Sequence, residues 1–322
     1  MKKIKILLNS LISIFITIFS LYLFFNNDNN EINFLDLINL IKQGWFHLAL
    51  ASILLIFSVY LRTHRWQYLF DLDSKIDFSI LFKSQLIGYF ANNILPIRLG
   101  DVVRSYVVSK HTKKKISYLI GTIAMERVVD TLTILFFSII TLLYYGPDYL
   151  EIQFIFLNLP FIITISIIII MGYLLYNYLI KFSISEKIHE ILKNIWSGFS
   201  DIQLNQKQYI VFLSIALWSI FVVNVYLIQL IFPHLKLSIF DCLLILVASS
   251  LIQMIPVGFG AIGVFHLGVQ GVLNKLGIND FNNFIIILHL YSLFIYTLTG
   301  GYYFITDKIL VAKNIFNHIN EN

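Results

Sequence analysis

Asn92-Asn93-Ile94-Leu95-Pro96-Ile97-Arg98-Leu99-Gly100-Asp101-Val102-Val103-Arg104 closes an apolar stretch that begins at residue 78. Whether that stretch crosses a membrane or turns back inside one decides the fold. Pro96 has no amide proton to continue a helical ladder, and Gly100 permits close backbone approach. Lys83, Gln85, Asn92 and Asn93 lie within the same stretch, and a lipid-facing helix avoids such groups. A second flawed stretch, 239–255, runs into Pro256 and then Gly258, Gly260 and Gly263. Leu95-Pro96-Ile97-Arg98-Leu99-Gly100 and Ile255-Pro256-Val257-Gly258-Phe259-Gly260 share the pattern apolar-Pro-apolar-x-apolar-Gly, 160 residues apart.

Outward from these two breaks the chain is apolar almost everywhere. Of its 322 residues, 58% are apolar and only 13% charged, and mean hydropathy is +0.80. A water-soluble domain carries about a quarter charged residues, so half the necessary polar coat is missing. The class that follows is an all-α polytopic membrane bundle. Runs of roughly 20 apolar residues place six expected spans near 4–25, 45–61, 116–143, 152–180, 209–231 and 281–305. The first ends Tyr22-Leu23-Phe24-Phe25-Asn26 without a small-residue cleavage site, so it is expected to remain as an anchor. Cys242 is the single cysteine, which excludes an internal disulfide and a Cys-ligated metal cluster. No nucleic-acid surface fits this composition.

Positive charge places the two broken stretches. With residues 78–109 and 239–275 each entering and leaving on one face, 17 of the 23 Lys and Arg fall inside. Only Lys42, Lys236 and Lys275 then lie outside, and Lys83, Arg98 and Arg127 fall at membrane depth. Were both stretches full spans, the basic run from Lys110 to Lys115 would lie outside, against the positive-inside rule. The expected architecture is one domain over 1–322: six spans and two re-entrant hairpins, with both termini cytoplasmic, in the inner or plasma membrane. Three spans separate the hairpins, so they enter from opposite faces, as broken helices do in inverted-repeat transporters. Two Pro/Gly kinks in ordinary helices are the alternative. The loop 181–208 puts Ile184, Ile188, Ile191 and Ile195 on one helical face, which reads as an amphipathic helix on the cytoplasmic leaflet or a helix for a partner.

Charges at membrane depth each cost about 2.5–3.5 kcal/mol at a helix centre, which makes them the informative residues. Glu126, Arg127 and Asp130 have spacings that can share one helix side, about 15 Å along the span from Ile116. They form either a self-neutralising structural cluster or a cavity-lining site for a charged headgroup or a proton. In the first hairpin, Arg98 and Arg104 can offer forked donors to phosphate, and Asp101 can cap the returning half-helix. Arg104 can equally snorkel to the interface. Arg62 and Arg65 read as an interfacial anchor or a substrate contact. In the second hairpin, His266 is the only titratable side chain between Cys242 and Lys275. No metal-ligand spacing, phosphate loop or nucleophile elbow occurs, so neither metal nor cofactor is expected.

Asn93-x-x-Pro96-x-Arg98-x-Gly100-Asp101-x-x-Arg104, then Glu126-Arg127-x-x-Asp130, then Pro256 with Gly260-x-x-Gly263 resembles the lysylphosphatidylglycerol synthase transmembrane-region family. These are flippase-like membrane proteins, grouped also with the membrane part of an archaeal dolichol-phosphate glycosyltransferase. The resemblance covers nearly the whole chain and implies translocation of a membrane lipid or polyprenyl-linked substrate. It makes Asn93, Pro96, Arg98, Gly100, Asp101, Arg104, Glu126, Arg127, Asp130, Pro256, Gly260, Gly263 and His266 the candidate substrate-binding residues. Many relatives carry an acidic residue where His266 stands and Pro-Gly where Phe259-Gly260 stands. The chain has no aminoacyl-transferase or glycosyltransferase domain, so no enzymatic activity is expected of it. The expected function is a lipid flippase or lipid-linked-intermediate transporter with a headgroup in a midplane cavity. The competing expectation is a non-transporting subunit that docks a separately encoded lipid-modifying transferase or glycosyltransferase. An integral-membrane lipid transferase ranks last, because Glu126 and Asp130 lie too deep for interfacial acid/base work.

Overall fold

The computed structural model describes residues 17–24, 34–70, 76–95, 99–146, 186–200, 206–253 and 260–307. Among them the chain is helical, with no strand. Among the described residues, four helices are long and apolar enough to cross a membrane: α2 (Trp45–Gln67), α5 (Ile116–Tyr145), α7 (Lys207–Gln229) and α10 (Asn282–Thr306). They carry four of the six expected spans. Of the first, 4–25, only the helical stretch 17–24 is described, and 152–180 lies outside the described residues. Large apolar side chains such as Leu143, Ile305 and Phe212 point outward on these helices, while arginines and carboxylates are buried within. That inversion of the soluble pattern is what lipid as solvent requires.

The shorter helices are α1 (Phe34–Gln43), α3 (Phe78–Ile94), α4 (Gly100–His111), α6 (Glu186–Ser200), α8 (Ile239–Gln253) and α9 (Val264–Lys275). Asp77 starts α3, its carboxylate accepting from the Ser79 N–H at 2.9 Å. Ser238 and Asp241 bond reciprocally at the start of α8: the Ser238 N–H donates to Asp241 at 2.7 Å and the Asp241 N–H to Ser238 at 3.1 Å. This is a capping box, which satisfies donors a helix end leaves open. The broken stretches are thus pairs of short helices, and Pro96, Arg98 and Pro256 fall in the breaks, outside the described residues. α3 and α4 run antiparallel: Arg104 bonds Gln85, Arg104 packs on Gly88, and the Gly100 N–H donates to Asn92 Oδ1 at 2.7 Å. A Cβ at Gly100 would overlap the Gly88 carbonyl and the Asn92 side chain, so this crossing needs glycine. α9 folds back on α8, where Gly268 meets Ile252.

The order long helix, broken pair, long helix therefore occurs twice, as α2, α3–α4, α5 and as α7, α8–α9, α10. The packing respects that repetition. α2 lies against α7 in antiparallel register, with Tyr68 stacked on Tyr209, Arg65 bonded to Ser214 and Gly44, just before α2, seated on Ile231. The units also exchange contacts: α3 packs on α10, and α8 packs on α5. Tyr89 stacks on Tyr296 and Gly300 abuts Leu86 in the first exchange. Tyr144 stacks on Phe240 and Tyr145 donates to Asp241 at 2.5 Å in the second.

α6, the amphipathic segment, is docked on α5. Gly121 lies against the Ile195 carbonyl and Gly198 against that of Tyr118, a close crossing that small residues allow. Lys115 pairs with Glu190 beside it, and Trp196 remains exposed.

Candidate functional site

Three arginines from two elements converge on one stretch of α5. Arg62 and Arg65 stand i,i+3 near the end of α2, so they share a helix face; Arg104 comes from α4. Glu126 is completely buried and takes all three: Arg62 Nη1 at 3.0 Å, Arg65 Nη2 at 3.5 Å and Arg104 Nη1 at 3.1 Å. Asp130, one turn on, takes Arg62 at 3.1 Å and Arg65 at 2.8 Å. Trp218 of α7 adds a donor to Asp130 Oδ1 at 3.3 Å. Arg104 is 1% exposed, with its guanidinium 4.8 Å from the Trp66 ring. It does not snorkel, because Gln85, Glu126 and Trp66 all hold it inward.

Asp101 and Arg127 form the outer part of the cluster. Arg127 Nη2 reaches Asp101 Oδ1 at 2.8 Å while Nε reaches Oδ2 at 3.1 Å, a forked pair. The Arg127 side chain is 47% exposed, and Asp130 is farther away at 3.7 Å. Asp101 also takes Arg104 Nη2 at 3.1 Å. Asp101 is therefore an ion-pair residue and not the cap of α4; Asn92 supplies that acceptor from across the hairpin. Among the described residues, four guanidinium groups meet three carboxylates, so the cluster carries one net positive charge.

This cluster forms one wall of a cavity of about 650 Å³. Arg62, Asp101, Arg127 and Asp130 line it, and so do amides and hydroxyls of Asn92, Asn93, Asn224, Ser249, Gln253 and Tyr291. Leu246, Phe265, Leu288 and Leu293 supply apolar wall. Described residues flanking both helix breaks meet here. The Gly260 N–H faces the Asn92 carbonyl at 3.4 Å, and His289 Nε2 donates to the Gly260 carbonyl at 2.9 Å. Asn93 Nδ2 donates to Thr297 Oγ1 at 3.0 Å and to the Leu293 carbonyl at 3.3 Å. Residues 289–297 are the middle of α10, so Asn93 and Gly260, at the edges of the two breaks, both stand roughly half-way along a spanning helix.

Of the residues singled out by sequence, Asn93, Asp101, Arg127, Asp130 and Gly260 line the cavity. Gly100, Arg104 and Glu126 support it from behind. Gly263 and His266 do not line it, although the His266 ring stands edge-on against that of His289, which does. His266 Nδ1 accepts from the Gly263 N–H at 3.2 Å at the start of α9, and its ring packs on Phe24. Gly263, with φ of +88°, leaves no room for a Cβ beside Ser20. Arg98, Pro96 and Pro256 lie outside the described residues. Sequence reasoning treated Arg62 and Arg65 as an interfacial anchor or contact and did not join them to Glu126 and Asp130. The signal was the matched spacing: two cations i,i+3 on one helix and two carboxylates i,i+4 on another. Asn224 was missed altogether, although an amide in the apolar run 207–229 is itself unusual. No three metal-binding side chains converge among the described residues.

Residues 6–300 match the family model of the lysylphosphatidylglycerol synthase transmembrane region. Among curated proteins, the chain is similar to the UPF0104 membrane protein MJ1078 of Methanocaldococcus jannaschii. The two are 33% identical over 211 residues, covering 64% of this chain and 88% of that one. A second protein of that organism, the UPF0104 membrane protein MJ1595, is 32% identical over 144 residues, 43% of this chain and 42% of its own length. No solved structure matches.

Proposed function

The chain belongs to the lysylphosphatidylglycerol synthase transmembrane-region family, and on that premise we propose that it moves an anionic lipid across the membrane. The phosphate-bearing headgroup sits in the central cavity while the hydrocarbon tail stays in the bilayer. The observation that carries this reading is the net positive ion cluster on the wall of a 650 Å³ cavity. That volume is in the usual range for a small-ligand site, and Arg127, half-exposed on its wall, holds Asp101 through Nε and Nη2 while Nη1, 3.7 Å from Asp130, is placed to donate to a phosphate oxygen.

The transport part rests on the repeat. Antiparallel α2 and α7, with α3–α10 and α8–α5 exchanged, are the contacts expected of two units related by an axis in the membrane plane. The broken pairs α3–α4 and α8–α9 are then re-entrant hairpins from opposite faces. Rocking one unit against the other exposes the cavity to each side in turn, around a fixed site. The basic run from Lys110 to Lys115 and helix α6 face the cytoplasm in this arrangement.

Reconstitution tests the reading. Vesicles holding the protein and an acyl-labelled phosphatidylglycerol are treated with an impermeant quencher. The wild type is expected to expose label beyond the outer-leaflet fraction, and Arg127→Gln to return it to the protein-free level. Equal exposure with and without protein, for every anionic lipid tried, would overturn the proposal. A stable stoichiometric transferase co-purifying with the chain would then favour a docking subunit.

A further inference from the structure

Two features of the cavity go beyond a general preference for anions. Asn224 is 2% exposed and lines the cavity, yet neither its amide nitrogen nor its oxygen has a protein partner among the described residues. An unpaired amide in a spanning helix costs several kcal/mol on transfer scales, so retaining one for packing alone is unfavourable. Leucine would fill a similar volume at no such cost. The carboxylates, by contrast, are all taken. Asp101 holds Arg104 and Arg127, Glu126 holds Arg62, Arg65 and Arg104, and Asp130 holds Arg62 and Arg65. None is left to receive an amine, and the cluster is already net positive.

From these we infer that the cavity selects a phosphodiester headgroup whose far part is uncharged and hydroxyl-rich, with Arg127 contacting the phosphate and Asn224 the hydroxyls. The inference rests on the headgroup reading above and adds which headgroup. Spacing supports it. Trp218, whose indole marks the level of the ion cluster through Asp130, is six residues before Asn224 on α7. At 1.5 Å per residue that puts Asn224 about 9 Å along the helix axis from the ion cluster, the scale of a glycerol or sugar headgroup. Asn224 offers both a donor and an acceptor, as vicinal hydroxyls require. Ser249 spends its hydroxyl proton on the Leu246 carbonyl at 3.0 Å, leaving its oxygen to accept. An aminoacylated or other cationic headgroup meets the opposite conditions, an excess of guanidinium and no free carboxylate.

Binding in phosphatidylcholine nanodiscs tests this with phosphatidic acid, phosphatidylglycerol, phosphatidylinositol and lysylated phosphatidylglycerol as probes. A hexosyl polyprenyl phosphate set against the bare polyprenyl phosphate reports whether a diacyl or a polyprenyl tail carries the headgroup. The wild type should prefer the hydroxyl-bearing lipids over phosphatidic acid by roughly 3- to 10-fold, the value of one net hydrogen bond or two, and show no preference for the lysylated lipid. Asn224→Leu should abolish the preference and hold or raise the melting temperature. Asn224→Thr, which keeps a donor and an acceptor, should retain part of the preference. Equal binding of phosphatidic acid and phosphatidylglycerol by the wild type overturns the inference, as does a preference that survives Asn224→Leu. Unfolding of both Asn224 variants also overturns it, because the amide is then structural. If wild type binds neither lipid, the headgroup reading itself has failed.

Discussion

Neutralising Glu126 without changing its shape should cost stability first and activity second. Glu126→Gln leaves Arg62, Arg65 and Arg104 packed around a neutral amide, at a position with no solvent exposure. The cluster would then hold four guanidinium groups against two carboxylates. Breaking a buried pair by removing one partner costs on the order of 3–5 kcal/mol, which for a chain of this size is a fall in Tm of roughly 10 °C. Arg127→Gln is the control. Its forked pair with Asp101 is solvent-accessible, with side chains 47% and 37% exposed, and exposed pairs contribute about 0–1 kcal/mol. Arg127→Gln should therefore melt within about 2 °C of wild type while losing phosphate-lipid binding. Removing Arg104 together with Glu126 restores the original excess of one cation. Glu126→Gln with Arg104→Met should accordingly be less destabilised than the two single changes added, by about 1–3 kcal/mol. The assay is thermal unfolding in one detergent, followed by intrinsic tryptophan fluorescence. An unshifted Tm for Glu126→Gln, or a large loss for Arg127→Gln, would refute the division into a buried structural core and a working outer pair.

Other outcomes follow from particular contacts. Gly100→Ala should cost about 1–3 kcal/mol by overpacking, since its Cβ meets the Gly88 carbonyl and Asn92; Gly88→Ala, whose contacts begin at 3.1 Å, should lower Tm less. Glu190 is exposed and its carboxyl is held below the ordinary range by the Lys115 hydrogen bond. A depressed folded value means the contact contributes above the unfolded value and is lost as pH falls through the folded one, below about 4.3. Protection factors against hydrogen exchange in 186–200, taken relative to the intrinsic rate at each pH, should therefore fall in acid, and Lys115→Gln should flatten that dependence. In a Cys242→Ser background, cysteines at Ser109 and Ser197 should both resist an impermeant thiol reagent applied from outside; labelling at Ser109 alone would mean that the first broken stretch crosses the membrane.

Local rules made the backbone legible. Length and apolarity found α2, α5, α7 and α10, and the Pro and Gly positions found both breaks, because those signals act within a few residues. The ion cluster was legible only in half. Glu126 and Asp130 announce themselves inside an apolar span, but their partners Arg62 and Arg65 stand some 60 residues earlier, beside a helix end where an anchor is the ordinary reading. Arg104 looked able to reach water, and only packing against Trp66 and Gln85 shows why it turns inward. Asp101 sat where a cap belongs, yet Asn92 took that role once α3 and α4 lay antiparallel. His266 accepts from the Gly263 N–H at the start of its own helix, a local bond that its sequence context did not announce. The others each depend on which helices touch, and a pattern read along one helix does not contain that.

The central claim is that a lipid phosphate occupies the cavity at Arg127, and the most direct measurement is to see it there. Cryo-electron microscopy of the protein in phosphatidylglycerol nanodiscs, with a rigid antibody fragment to aid alignment, should show phosphate density within hydrogen-bonding distance of the Arg127 guanidinium, between α5, α7 and the two helix breaks. Lipid density confined to the outer surface of the helices, with Arg127 still forked onto Asp101 and only water in the cavity, would contradict the account.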